Sequence, residues 1–275
     1  MLFCCPLPLG IFKGALGPIV IHEKWPEINM HTRVLDKVVA MIPPNASVAT
    51  QNDILPHLCH RFEVYLEYKP GVDYILIDTR LPWAYDPNWS PIPGGEFKEE
   101  LLNEYGILVA VDGIYLLKKN YTGDIIDPKM LGVFNGLRAK FFSGVEPTNS
   151  PIWTEIIFTL DINWGPYEVF FGIPRDGFSI VFEGYINIPV NGTYIFRITS
   201  DDGHRLYIND TLISDAWLDI PVKREVSVNL THGFYKIRIE YKEIRGNAAI
   251  KIEWKTPFQR DFIVIPPEFL YYELP

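Results

Sequence analysis

The chain reads as two parts: an α/β domain with a small, mostly parallel sheet, then an all-β sandwich. Three observations predict this. At 275 residues the chain is too long for one simple sandwich. Its apolar pattern mixes helical and strand spacing up to about residue 121, and only strand spacing after that. Turn pairs then recur at short intervals, as in sandwiches and barrels.

Residues 1–30 form an apolar lead-in. Leu2 to Phe12 is broken by Pro6, Pro8 and Gly10 and follows no basic stretch, so it does not fit a signal peptide. The α/β domain is placed at 31–121. Arg33 to Met41 carries Val34, Val38 and Val39 at helical spacing, and Pro43-Pro44 ends the helix. Ser47 to Thr50 reads as a short strand, Ile54 to Cys59 as a short helix, and Glu63 to Tyr68 as an alternating strand. Tyr74 to Asp78 is continuously apolar until its last residue, as in a strand buried on both faces. Leu81 to Gly95 is a Pro-, Trp- and Gly-rich loop. Its Trp83, Tyr85 and Trp89 suit stacking on a ligand or a membrane surface, or capping of the sheet edge. Glu96 to Tyr105 reads as a charged amphipathic helix. Ile107 to Lys118 reads as a hairpin, with Asp112-Gly113 as its type I′ turn.

A linker is placed at 122–135 and the sandwich at 136–275. Its strand-like runs are Leu137 to Phe142, Ser179 to Ile188, Gly192 to Ser200, Arg205 to Asn209, Val222 to Leu230, Gly233 to Glu240 and Ala248 to Lys255. Asn191-Gly192, His232-Gly233 and Gly246-Asn247 supply turns between them.

Composition narrows the function classes. The apolar fraction of 48% allows a packed core and argues against disorder. The net charge of −9 argues against nucleic acid, which needs clustered Lys and Arg, and suits cations or neutral polar ligands such as sugars. Cys4, Cys5 and Cys59 make an odd set without disulfide spacing and read as thiols. No run reaches the roughly 18 apolar residues of a membrane span. Asn45, Asn88, Asn120, Asn191, Asn209 and Asn229 each open an Asn-x-Ser/Thr sequon, which points to a glycoprotein outside the cytoplasm.

The most distinctive chemistry is Asp201-Asp202. Adjacent carboxylates at a strand end repel unless a cation sits between them, and Ca²⁺ accepts oxygen ligands in loose geometry. Neighbouring side chains on a strand face opposite ways. Both could reach one ion only across an unusual peptide, such as a cis bond; otherwise the pair is a solvated turn. Trp217, near Asp215 and Asp219, suits either stacking on a pyranose ring or packing. His57, Cys59 and His60 lack a coherent ligand face and read as packing residues, or, for His57 with Arg61, as holding an anion. The sequence contains no G-x-S-x-G, H-E-x-x-H, P-loop or dinucleotide fingerprint, and no catalytic residue is assigned.

Ser200-Asp201-Asp202-Gly203-His204-Arg205-Leu206-Tyr207-Ile208-Asn209 resembles the most recognisable motif of the anthrax protective-antigen (PA14) module. Gly136 to Phe142, Asp176 to Tyr185, Pro189 to Phe196 and Gly233 to Tyr241 resemble its other blocks, in order, over about 135 residues. The resemblance implies a β-sandwich like those of toxins, glycosidases and adhesins. It also implies a calcium ion on Asp201 and Asp202, joined by a cis peptide, that takes sugar hydroxyls directly. A second loop, here Lys242 to Ala249, would add Asn247. That loop is short and basic, unlike those of the sugar-binding flocculins.

Ile42 to Thr50, Leu55 to Leu58 with Arg61, Tyr74 to Asp78, Tyr105 to Ile107 and Gly113 to Lys118 resemble the soluble tail of an uncharacterised, mainly archaeal family of polytopic, glycosyltransferase-like membrane proteins. That implies membrane segments upstream of the chain. The expectation is an extracytoplasmic part of a membrane protein, at the cell surface, carrying a calcium-dependent carbohydrate-binding sandwich. Its partner would be a glycan or cell-surface polysaccharide. The alternatives are a spacer or docking module without a sugar site, or an acceptor-binding accessory of a membrane glycosyltransferase.

Overall fold

The computed structural model describes residues 28–275 except 87, 89, 97, 99, 100, 149, 168, 170 and 171, and except the side chains of 82 and 83. The apolar lead-in before residue 28, Cys4, Cys5, Trp89 and the Trp83 side chain therefore lie outside the described residues.

Helix α1 spans Met30–Met41. Asn29 caps it by accepting from the Thr32 N–H, while the Thr32 side chain reaches back to the Asn29 N–H, so two end groups are satisfied at once. Val34, Leu35 and Val38 form its buried stripe. Arg61 closes the other end by donating to the carbonyls of Ile42 and Pro43. Then follow β1 (Val48–Thr50), α2 (Leu55–Leu58), β2 (Val64–Tyr65) and β3 (Tyr74–Asp78). His57 pairs with Asp36 at 3.2 Å, and Cys59 is a half-buried free thiol. Beyond the loop come α3 (Leu101–Glu104), β4 (Tyr105–Val111) and β5 (Ile114–Lys119). Tyr85 of the loop is buried and stacks on Tyr167 of the sandwich at 4.8 Å, which makes it a packing residue.

The sheet order is β2-β1-β3-β5-β4. It is mixed: β1 runs parallel to β2 and β3, while β5 runs antiparallel to β3 and β4. The reason is local. Asp112 and Gly113 take φ of 52° and 80°, as a primed turn requires, and return the chain antiparallel. The helix expected to reach Tyr105 gives way to β4 at that residue.

Residues 122–135 are mostly exposed but anchored at a few points. Ile126 N–H donates to Leu108 O, Lys37 Nζ donates to Leu131 O at 2.6 Å, and Leu131 and Val133 are buried.

The second half contains β6 (Leu137–Ser143), β7 (Trp153–Ile157), β8 (Asp161–Gly165), β9 (Phe178–Ile188), β10 (Gly192–Asp201), β11 (Gly203–Ile208), β12 (Thr211–Ala216), β13 (Val222–Leu230), β14 (Gly233–Glu243) and β15 (Ala248–Lys255). One sheet runs β12-β11-β14-β9-β6-β7, with Leu270–Tyr271 on β9. The other runs β13-β10-β15, with β8 and Ile263–Val264 on β15. Every pairing is antiparallel. Strands β7, β8 and β12 are additions to the sequence reading. Tyr194, Phe196 and Ile198 of β10 and Ile250, Ile252 and Trp254 of β15 alternate inward, and Ile237, Ile239 and Tyr241 of β14 lie in the same buried core.

The two halves meet along a polar seam over a shared apolar core. Asp112 N–H donates to Ile156 O and Phe158 N–H donates to Asp112 Oδ1, each at 2.8 Å. Arg80 pairs with Asp112 and donates to Thr159 O. Tyr115 Oη donates to the buried Glu155 at 2.9 Å. His31 bridges Asp112 and Asp78 at 2.7 Å each. Burial pulls the His31 pKa down, but its hydrogen bonds to Asp112 and Asp78 outweigh this and hold it up to about 9.

Candidate functional site

The site lies where β10 crosses from one sheet to the other through Asp202 into β11. The Asp201-Asp202 peptide is cis. Polar contacts pin this corner from several sides. Ser200 Oγ donates to Asp202 O at 2.6 Å and therefore accepts from His204 Nδ1 at 2.7 Å. That leaves His204 Nε2 buried without a proton or a partner. Burial, then the Arg224 charge, lowers the His204 pKa to about 4, which agrees with a neutral ring. Tyr241 Oη contacts Asp201 O, Asp202 N–H donates to Lys242 O, and Ile244 N–H donates to Asp202 Oδ2 at 2.9 Å. Gly203 has to be glycine: a Cβ there would stand 2.8 Å from Leu218 O and 2.9 Å from Leu218 N.

The pair has a third carboxylate beside it. One oxygen each from Asp201, Asp202 and Glu243 lie within 4.8 Å of one another. Two oxygens on opposite sides of one Ca²⁺ stand about 4.6–5.2 Å apart, so a single ion can reach all three. Burial, and then the Asp202 charge, raises the Asp201 pKa. Burial raises that of Glu243 to about 7 against the opposing Tyr241 hydrogen bond, and the Asp202, Asp201 and Asp176 charges add to it. Such crowding disfavours three negative charges unless a cation neutralises them.

Glu243 was missed in the sequence. Its signal was the inward alternation of β14: two residues beyond Tyr241, it faces the interior at the strand's end, where a carboxylate is out of place.

Asp201 also lines an open groove of about 420 Å³, with Asp161, Asn163, Thr199, Lys223 and Lys251 among its walls. Asn247 is exposed in the loop after β14, where Asp176 Oδ1 accepts from Gly246 N–H at 2.8 Å. Lys242 belongs to β14 rather than to the loop, and its ammonium is drawn off to Asp219 at 2.7 Å. Trp217 is half-buried. Its Nε1 donates to Glu146 at 2.6 Å, and the Arg205 guanidinium and Lys242 ammonium lie 4.3 and 5.2 Å from its ring.

Comparison with known proteins finds similarity in this half. Residues 141–266 match the family model described as the PA14 domain. The anti-sigma-I factor RsgI3 of Acetivibrio thermocellus is 27% identical over 142 residues, which are 51% of this chain and 22% of that protein. The chain thus spans about a fifth of the curated relative's length. An anti-sigma factor domain-containing protein from Clostridium clariflavum is 28% identical with a TM-score of 0.47, over 51% of this chain and 48% of that one. A PA14 sugar-binding domain from an RTX adhesin is 15% identical with a TM-score of 0.43, over 51% and 99%. This corrects the expectation of an archaeal polytopic family: the resemblance found is to an anti-sigma factor protein. The match to the PA14 domain over residues 141–266 takes in the Asp201-Asp202 corner and supports a PA14 domain in the C-terminal half of the chain.

Proposed function

We propose that the sandwich is a calcium-dependent glycan-binding module displayed outside the cytoplasm, with Asp201 and Asp202 as metal ligands. One observation carries the reading: Asp201 belongs both to a carboxylate cluster sized for Ca²⁺ and to the wall of the open groove. An ion there has oxygen ligands on its protein side and positions left over for sugar hydroxyls. Asn163 and Thr199 offer further hydrogen-bonding groups along the groove. Asn247 and Trp217 stand on the loops after β14 and β12 as candidate ligand contacts, with Trp217 already holding two cations. The sequon asparagines Asn45, Asn88, Asn120, Asn191, Asn209 and Asn229 are all exposed, as an extracytoplasmic glycoprotein requires. No helix among the described residues is long and apolar enough to cross a membrane, so membrane attachment would come from elsewhere.

The test is a glycan array probed with the full chain in Ca²⁺ and again in chelator. Chelator-sensitive hits support the reading, and their absence sinks it. The second reading is a spacer without a sugar site. The continuous core and polar seam joining the two halves favour it, since they suit a rigid connection between them. Calcium binding with no glycan hit would support it.

A further inference from the structure

We infer that Glu243 is the third protein ligand of the cation, so that the site is completed by strand β14 rather than by Asn247 on the loop that follows. This rests on the reading of Asp201 and Asp202 as a cation site.

Glu243 is fully buried, yet only one of its oxygens is satisfied. Oε2 accepts from Tyr241 Oη at 3.0 Å, while Oε1 has no hydrogen-bond partner. A buried carboxylate oxygen left unpaired is costly, and a metal ion removes that cost. The carboxylate also stands within the 4.8 Å cluster with both aspartates. Asp202 commits Oδ2 to the Ile244 N–H, which leaves its other oxygen for an ion. Three oxygen donors of total charge −3 suit a hard divalent ion. Ca²⁺, which takes six to eight ligands, would keep three or more positions for water or sugar hydroxyls. The Glu243 carboxylate is fixed by the strand register, Lys242↔Ser179 and Glu243↔Phe178, and by the Tyr241 hydroxyl. Asn247 is exposed on the loop beyond. The shortness of that loop is therefore no obstacle to metal binding.

The test uses Ca²⁺ alone, titrated calorimetrically into the full chain, with thermal melts in Ca²⁺ and in EDTA. Glu243→Gln keeps the size and removes the charge. It should weaken Ca²⁺ binding by about tenfold or more, while Asn247→Ala stays within about twofold. In EDTA the Glu243→Gln melting temperature should equal or exceed wild type, because an unpaired buried carboxylate has been removed. Only the rise in melting temperature produced by Ca²⁺ should shrink. A Glu243→Gln chain that melts normally and binds Ca²⁺ like wild type overturns the assignment and leaves the aspartate site standing. A tenfold loss in Asn247→Ala with none in Glu243→Gln also overturns it. No Ca²⁺ uptake by wild type overturns the underlying reading of the aspartate pair itself.

Discussion

Tyr241 Oη lies 3.0 Å from Glu243 Oε2, and the same hydroxyl meets the main-chain carbonyl of Asp201 and accepts from Ala249 N–H at 3.1 Å. A phenol has one proton, so the two acceptors share it. The ring packs against Trp164 and Phe178 in the core. Tyr241 thus connects the hydrophobic interior to the carboxylate cluster.

Tyr241→Phe keeps the ring and removes the hydroxyl, leaving Ala249 N–H and two acceptors short of a partner. A loss of about 1–3 kcal/mol is expected in urea denaturation, with the m-value unchanged.

Asp201→Asn and Asp202→Asn should each remove the Ca²⁺-dependent rise in melting temperature. For wild type with Ca²⁺ at about 100 times its Kd, that rise corresponds to about 2.7 kcal/mol. Differential scanning calorimetry in Ca²⁺ and in EDTA checks this, and retention of the full increment in both variants would remove the pair as ligands.

His31 predicts an alkaline loss of stability. Its folded pKa of about 9 lies above the ordinary 6.5. The stabilisation is therefore complete below about pH 6.5 and lost as pH rises through 9, amounting to on the order of 3 kcal/mol. His31→Ala should abolish this alkaline slope. It should also cost about 3–5 kcal/mol at neutral pH, because the buried Asp78 and Asp112 lose a counter-charge. Urea titrations between pH 6 and 10 measure both effects.

Gly203→Ala places a methyl group against the Leu218 backbone and Lys242 Cε. Backbone yields less easily than a flexible side chain, so the overpacking should cost about 1–3 kcal/mol in thermal or chemical melts. The corner that holds Asp202 would shift with it, and Ca²⁺ affinity should fall.

The long sandwich strands were legible because a half-buried strand writes its two faces into alternate residues. β10 and β15 alternate inward and outward along most of their length. Strands β7, β8 and β12 were not legible. β7 and β12 are the edges of the larger sheet, and β8 pairs only with β15. An edge strand has one neighbour to satisfy and a weaker pattern to show. In the first sheet the parallel pairing of β1 with β2 and β3 and the Asp112-Gly113 hairpin follow the sequence reading; hydrophobic runs carry no strand direction, so the antiparallel seat of β5 beside β3 came from the tertiary pairing.

At the site, the sequence by itself determined the Asp201-Asp202 corner, the glycine after it and the acidic balance that favours a cation. These are local: adjacent residues bring their chemistry with them. Only the tertiary structure decided that Glu243, 42 residues downstream of Asp201 in the numbering, joins them. It also decided that Lys242 turns to Asp219, and that His31, Asp78 and Asp112 meet at the seam. Each of those contacts depends on strand register or on the packing of one half against the other. Both are set by burial summed over many residues, and no short run of sequence records that sum.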